Sequence, residues 1–326
     1  MKIEELKEIL EKNNFDQKRV ETTIQKYQKF KNFVENKNLL VENVSLEEFD
    51  SYLTAMDKKD VNFDFIVALL VIYRRLNRKE IVSWIIDHIE GMDGLDNMLE
   101  KVETQFGLEE ASKILEGFQK PFIMSSVKEK ACAAKDLSER LQKHLKSETE
   151  YEIFMTDNFH KIPKENFMWL RELFLETNDL DQVIKASYEK FYNQLKECRD
   201  ENKLFWGQDI DDQVLDWVEK EQDIETGSRK GDYIILSKIG YECKKYLNET
   251  DSVKKRYFYC HCPFVKHSIL HPEDGVPKSF CQCSAGFSKV RWDTIFDTDT
   301  EAEVVDSVYH GGDKCTFKIK IPEKYR

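Results

Sequence analysis

Apolar residues recur every three or four positions through most of the first two thirds of the chain, a spacing that puts them on one face of an α-helix. Ser45 followed by Glu48 has the spacing of a capping box and predicts a helix start. The run NFDFIVALLVIY, residues 62–73, is apolar on nearly every side and predicts a buried helix. We therefore predict a helical bundle over residues 1–120 and a helical middle region over residues 121–225.

The last part of the chain changes to the two-residue period of β-strands. Residues 233–236 form a short apolar run after a glycine-containing loop, which predicts one strand, and the aromatic residues 257–259 also favour β structure. The glycines at 311–312 predict the turn of a hairpin, and its last strand has alternating apolar residues at Cys315, Phe317, Ile319 and Ile321. We predict an α+β domain with an antiparallel sheet over residues 226–326, and α+β as the fold class of the chain.

Two Cys-x-Cys pairs carry the strongest chemical signal: Cys260 with Cys262, and Cys281 with Cys283. In an extended backbone alternate side chains share a face, so each pair can present two sulfurs to one point. The turn-forming residues 271–277 predict that the second pair folds back onto the first. Four converging thiolates suit zinc, or iron in an iron–sulfur centre, so we predict a zinc site with iron or iron–sulfur as the alternative. Plain apolar packing and disulfides are the other interpretations.

The number of protein ligands decides what such a metal does. Four ligands close the site and make it structural, whereas three leave a position for water and allow hydrolysis. The candidates for proton transfer, and hence for catalysis, are His261, His267, His271 and Glu273. His160, by contrast, is expected to be structural or exposed.

Two further segments bear on ligand binding. A helix predicted to begin just beyond Cys283 would stabilise its thiolate as a metal ligand or, without a metal, as a reactive group. Arg229 and Lys230 lie between two glycines, and such a basic loop can hold a phosphate or carboxylate. Arg229 and Lys230 are therefore candidates for cofactor binding. The alternative is that this loop is an ordinary strand connection.

Composition and charge narrow the possible partners. The chain has 326 residues, of which 34% are charged, and its net charge is −12. Residues 226–326 carry 17 basic against 14 acidic residues, and the remainder carries 33 against 48. The acidic part would repel a phosphate backbone, so we expect no nucleic-acid partner, whereas the basic excess suits a small anionic ligand or a thiolate-rich metal. The sequence shows no leader pattern and no apolar run of membrane length, so we expect a cytoplasmic protein with reduced thiols and no membrane partner.

Residues 283–321 combine a predicted helix with a closing motif. The motif consists of the acidic residue Asp306, a Gly-Asp turn at Gly312 and Asp313, and Cys-x-Phe on the last strand at Cys315 and Phe317. With Gly286 in the preceding helix, these features resemble the C-terminal half of 4-vinyl reductase-type domains, a small-molecule-binding family allied to the trafficking-complex fold. The closing motif is also similar to that of aminothiazoline-carboxylate hydrolases. The sequence departs at Val308, where the vinyl reductase-type family usually has a cysteine. The resemblance implies an α+β fold that binds a small organic molecule.

The leading hypothesis is a cytoplasmic metal-binding protein that recognises a small organic molecule beside a zinc site in residues 226–326. The helical regions would supply a lid, a homodimer interface or an output surface. The first alternative is a metal-dependent hydrolase that acts on a small organic substrate. The second is a structural or interaction protein with a closed zinc site.

Overall fold

The computed structural model describes residues 3–12, 15–58 and 60–326. Within these residues the chain divides into two compact units. The first comprises Met1–Ile89 with Phe122–Met124, and the second comprises Glu90–Pro121 with Ser125–Arg326. This division differs from the boundaries after residues 120 and 225 that the sequence suggested.

The first unit is helical throughout its named elements. They are α1 (Ile3–Lys12), α2 (Gln17–Asn36), α3 (Leu46–Ala55), α4 (Phe63–Arg75) and α5 (Lys79–Ile89). The predicted capping box is confirmed, because the Ser45 side chain accepts from the Glu48 amide while the Glu48 carboxylate accepts from the Ser45 amide at 3.0 Å. The predicted buried helix is α4, in which Phe65 and Ile66 are fully buried. Burial of each such side chain contributes about 1.5–3 kcal/mol.

The second unit contains the remaining helices and both sheets. The helices are α6 (Met92–Phe106), α7 (Leu108–Ile114), α8 (Val127–His144), α9 (Glu148–Met155), α10 (Met168–Thr177), α11 (Leu180–Asp200), α12 (Asp212–Glu221), α13 (Cys243–Asn248), α14 (Ser252–Tyr259), α15 (Lys266–Leu270) and α16 (Gln282–Phe296). The strands are β1 (Leu204–Phe205), β2 (Gln208–Asp209), β3 (Ser228–Lys230), β4 (Tyr233–Ser237), β5 (Ala302–Asp306) and β6 (Thr316–Lys320). In the described residues β1 and β2 pair alone, and the larger sheet has the antiparallel order β3-β4-β6-β5. The predicted α+β class is confirmed.

The larger sheet fixes the position of α16. Leu236 on β4 pairs in register with Phe317 on β6, and both side chains are buried. They belong to one core with Trp292 and Phe296 of α16, which are 1% and 0% exposed. Because these large side chains pack against the sheet, the first turn of α16 is held at a defined place beside it.

The aromatic residues 257–259 are helical, so the prediction of β structure there is wrong. Asp251 caps α14, and its side chain accepts hydrogen bonds from the amides of Val253 and Lys254. Such a cap contributes about 1 kcal/mol and outweighs the weak strand preference of aromatic residues. As a result Cys260 follows the end of a helix and does not lie in an extended strand.

A membrane-spanning segment is not found among the helices of the described residues, because none is both long and apolar enough.

Candidate functional site

A small cavity in the second unit brings the cysteine pairs together. Its volume is about 60 Å³, and its wall includes Glu90, His160 and Lys238. Among the described residues, five cysteines also line it, and we call this site the thiol cavity: Cys260, Cys262, Cys281, Cys283 and Cys315. The four cysteines singled out in the sequence therefore lie around one cavity. Cys315, one of the alternating residues of the predicted last strand, is the fifth.

Each thiol of the cavity is held by local backbone structure. The carbonyl of Cys262 accepts hydrogen bonds from the amides of Val265 and Lys266, at 3.2 and 2.9 Å, and so forms a tight turn after Cys260. Cys281 ends a short 3₁₀ helix, Lys278–Cys281, and its sulfur lies 3.8 Å from the Ser307 hydroxyl. Cys283 is in the first turn of α16, close to where the predicted helix was expected to begin.

Most of these thiols are strongly favoured in the neutral form. Burial raises the pKa of Cys260, and burial together with neighbouring thiols raises the pKa of Cys262 and Cys281 well above the usual range. Burial and Cys260 raise the pKa of Cys315 to about 12. Among the described residues, no group of three or more His, Cys, Asp or Glu side chains is arranged to hold a metal ion. The zinc ligands, and iron as their alternative, therefore stay predictions.

His160 contacts one of these thiols and a carboxylate. Its Nδ1 lies 3.4 Å from Asp93 Oδ1, and Cys283 is close enough to the ring to interact with it electrostatically. Burial alone would lower the pKa of His160, but the contacts with Asp93 and Cys283 outweigh it and raise this pKa to about 10. The charged imidazolium is thus the favoured form near neutral pH. We call Asp93, His160 and Cys283 the Asp–His–Cys row.

Two glycines allow the Asp–His–Cys row to form. A Cβ on Gly94 of α6 would lie 3.1 Å from Cε1 of His160, so the absence of a side chain lets the ring rest on this helix. A Cβ on Gly286 of α16 would lie 2.3 Å from both the amide nitrogen and the carbonyl oxygen of Asp157. The backbone just before His160 therefore crosses α16 at close range, one turn beyond Cys283.

The sequence did not identify His160 or Asp93 as functional. Asp93 lies on α6 and His160 on the loop after α9, and both are far from the cysteines in the sequence. Neither residue belongs to a recognisable motif, and only packing brings them to the cavity. The sequence signal that could have found this contact is the pair Gly94 and Gly286, because a glycine inside a helix often marks the close approach of another segment.

The other candidate histidines have different surroundings. His261 lines the thiol cavity, where Nε2 lies 2.6 Å from the carbonyl oxygen of Ile239. Burial and the charge of Lys238 lower the pKa of His261 to about 3, so the ring is neutral near pH 7. This strong preference for the neutral form makes His261 a poor proton carrier near neutral pH.

The remaining catalytic candidates lie on α15 and the short helix that follows it. His267 Nε2 is 2.9 Å from Asp274 Oδ2, and His271 Nδ1 is 3.2 Å from Glu273 Oε1. The His267 and His271 rings stack with centroids 4.4 Å apart. These side chains form a histidine–carboxylate cluster beside the lining residues, and their catalytic role stays a prediction.

The basic loop candidates are also apart from the thiol cavity. Arg229 and Lys230 lie on β3, at one edge of the sheet, and both are exposed. Arg229 Nε donates to the carbonyl of Gly231 at 3.4 Å. This arrangement is that of an ordinary strand connection, and cofactor binding there stays a prediction.

The closing motif has a packing explanation. A Cβ on Gly312 would lie 2.0 Å from Asp306 Oδ2, so the Asp306 carboxylate rests directly on the glycine backbone. Val308, the position at which the vinyl reductase-type family usually has a cysteine, is fully buried and lines the thiol cavity. The resemblance to the vinyl reductase-type family stays a prediction.

Comparison with known proteins adds one match. Residues 237–325 are similar to a family of unknown function, DUF6144. No curated protein and no solved structure matches the chain. The matched segment holds every cysteine of the thiol cavity, whereas Asp93 and His160 lie before it.

Proposed function

We propose that this protein is a thiol-dependent hydrolase of small organic molecules, with Cys283 as the nucleophile. The observation that carries the proposal is the Asp–His–Cys row at the thiol cavity. A nucleophile, a base in contact with it, and a third group that orients the base are the features of covalent catalysis.

Two features place positive charge beside Cys283. The residue lies in the first turn of a 15-residue helix, where the helix dipole stabilises negative charge. The adjacent His160 is favoured in the charged form, and an imidazolium beside a thiolate stabilises it further. Asp93 holds the ring in place. We propose that the reaction starts from a Cys283 thiolate beside the charged His160.

The proposed reaction follows from this pair. The Cys283 sulfur attacks an acyl-type carbon and forms a C–S bond, while the bond to the leaving group breaks and the leaving group takes the proton of His160. Water then gives a proton to the neutral His160 and attacks the thioester carbon. The C–S bond breaks, the acid product leaves, and the thiolate is restored.

The size of the cavity limits the substrate. Pockets for drug-sized ligands have volumes of roughly 300–1000 Å³, whereas this cavity has about 60 Å³. Measured in the same way, one water molecule needs about 10–15 Å³, so the cavity admits a group of about four to six non-hydrogen atoms. We therefore propose a small acyl group as the reacting part of the substrate.

Alkylation kinetics test the nucleophile directly. The protein is treated with iodoacetamide near pH 6.5, and the modification of each cysteine is followed by peptide mass spectrometry. An ordinary thiol is only about 1% ionised at this pH. We expect Cys283 to react roughly tenfold or more faster than the exposed Cys132, because a paired thiolate is largely ionised but intrinsically somewhat less nucleophilic.

A matched pair of histidine variants controls the test. We expect His160→Gln to remove the rate advantage of Cys283. His144→Gln should leave this rate advantage unchanged, because His144 lies on α8, where its Nδ1 is 2.8 Å from the carbonyl oxygen of Arg140. If Cys283 in the wild-type protein reacts no faster than Cys132, the proposal is wrong.

Zinc binding at the thiol cavity, with recognition of a small organic molecule beside the metal, is the second candidate. It is favoured by the convergence of more thiols than a nucleophile needs. We expect about one zinc ion per chain in protein purified without chelators, and loss of the ion in Cys260→Ser and Cys281→Ser. Metal-free wild-type protein would eliminate this candidate. Bound zinc would also suppress the alkylation of Cys283 until a chelator is added, so the two candidates are distinguishable.

A further inference from the structure

Lys238 places a positive charge on the wall of the thiol cavity. The residue follows β4, and its backbone is fixed on both sides. Its amide donates to the carbonyl of Cys315 at 3.0 Å, and its carbonyl accepts a hydrogen bond from the Tyr259 hydroxyl. The backbone that carries this charge is therefore fixed at the end of β4.

The ammonium group of Lys238 lies near the Asp–His–Cys row. Its Nζ is 4.5 Å from the ring centroid of Phe287, which follows Cys283 by one turn on the same face of α16. The Phe287 ring in turn meets His160 edge to face, with centroids 5.4 Å apart. One helical turn is about 5.4 Å, so a compact molecule can contact both the ammonium group and the Cys283 sulfur.

This charge lacks a carboxylate partner in the described part of the chain. Lys266, by contrast, pairs with Glu242 at 3.3 Å. Among the described residues, Lys238 Nζ lies over the Phe287 ring, and its charge acts on Cys260, Cys315 and His261. A partly buried ammonium group without a counter-ion is a binding site for an anion.

We propose that Lys238 binds a carboxylate of the substrate, so that the proposed Cys283 reaction acts on a compact carboxylic acid. This inference rests on the function proposed above. The carboxylate contacts the Lys238 ammonium group while the electrophilic carbon, a few bonds away, reaches the Cys283 sulfur. The small volume of the cavity excludes molecules in which these two groups are far apart.

Iodoacetate and iodoacetamide are probes that differ only in this respect. Both are small enough for the cavity, and both transfer one carbon group to sulfur with loss of iodide, but only iodoacetate carries a carboxylate. The quantity to measure is the ratio of the two alkylation rates at Cys283, divided by the same ratio at Cys132 in the same sample. We expect this normalised ratio to exceed one by roughly tenfold or more, the usual effect of one charged hydrogen bond.

Lysine variants assign the effect. Lys238→Met should reduce the normalised ratio to about one by slowing iodoacetate, and Lys238→Arg should keep most of it because the charge is preserved. Lys255→Met is the matched control, since it removes another lysine that lies over an aromatic ring, 4.9 Å from Tyr246, and changes the net charge equally. Circular dichroism checks that Lys238→Met is folded, and the ratio of the two rates cancels any change in the general reactivity of Cys283.

The outcomes separate this inference from the proposed function. If Cys283 reacts slowly with both reagents, the nucleophile proposal fails, and the inference fails with it. If Cys283 reacts fast with iodoacetamide but the normalised ratio is near one, or is the same in Lys238→Met, only the carboxylate inference is wrong. A ratio lost equally in Lys255→Met would also overturn it, because the effect would then be one of net charge.

Discussion

Replacement of Gly286 by alanine tests how the Asp–His–Cys row is held together. The added methyl carbon would lie 2.3 Å from the amide nitrogen and the carbonyl oxygen of Asp157. Ordinary contacts between such atoms begin at about 3.5 Å, so α16 and the loop that carries His160 must separate by more than about 1 Å. Both contacts are with backbone atoms, which cannot rotate away as a flexible side chain can.

The expected cost follows from two opposing effects. Overpacking of a well-packed interior typically costs about 1–3 kcal/mol, and a clash with backbone belongs at the upper end. Alanine is favoured over glycine inside a helix by about 1 kcal/mol. We therefore expect Gly286→Ala to reduce the free energy of unfolding by about 2 kcal/mol. The separation should also move His160 away from Cys283 and slow the alkylation of this thiol.

Urea unfolding followed by circular dichroism measures the first effect, and the iodoacetamide rate at Cys283 measures the second. Ser288→Ala in the same helix is the control, because it makes a similar change at a half-buried position and should alter the unfolding free energy by less than about 0.5 kcal/mol. A Gly286→Ala variant with wild-type stability and wild-type Cys283 reactivity would refute this account of the close approach.

Two further predictions concern the titration and the burial of single groups. The pKa of His160 is raised to about 10 in the folded protein, above the value of about 6.5 in an unfolded chain. Its contribution to stability is therefore complete below about pH 6.5 and is lost as the pH rises through about 10. The difference in unfolding free energy between wild type and His160→Gln should shrink over this range, and a difference that grew with pH would contradict the assignment. Cys243 is fully buried, and its thiol donates to the carbonyl of Gly240 at 3.1 Å. Since burial raises its pKa, we expect no alkylation of Cys243 in the folded protein under conditions that fully modify Cys132, and equal modification of both in denaturant.

The sequence predicted those parts of the fold that local interactions determine. The capping box at Ser45 begins a helix as expected, because the side chain that decides the helix start lies within four residues of it. The strand β4 was predicted from its own apolar run. The turn-forming residues 271–277 led to the correct placement of both cysteine pairs around one cavity.

The parts that the sequence did not predict depend on contacts between distant segments. His160 and Asp93 acquire their surroundings only when α6 and α16 pack beside each other, and no local pattern specifies that contact. The β structure expected at residues 257–259 was wrong for a related reason. Strand preference of aromatic residues is weak, and the cap at Asp251 decided the local structure.

The distribution of the cavity wall along the chain has a practical consequence. The five cysteines of the thiol cavity come from the segment that is similar to DUF6144, but the imidazole beside Cys283 comes from the loop after α9, and the carboxylate behind it from α6. A fragment trimmed to residues 237–325 would keep these cysteines and lose both His160 and Asp93. Cys283 in such a fragment should therefore lack the rate advantage that the proposed function predicts for the whole chain.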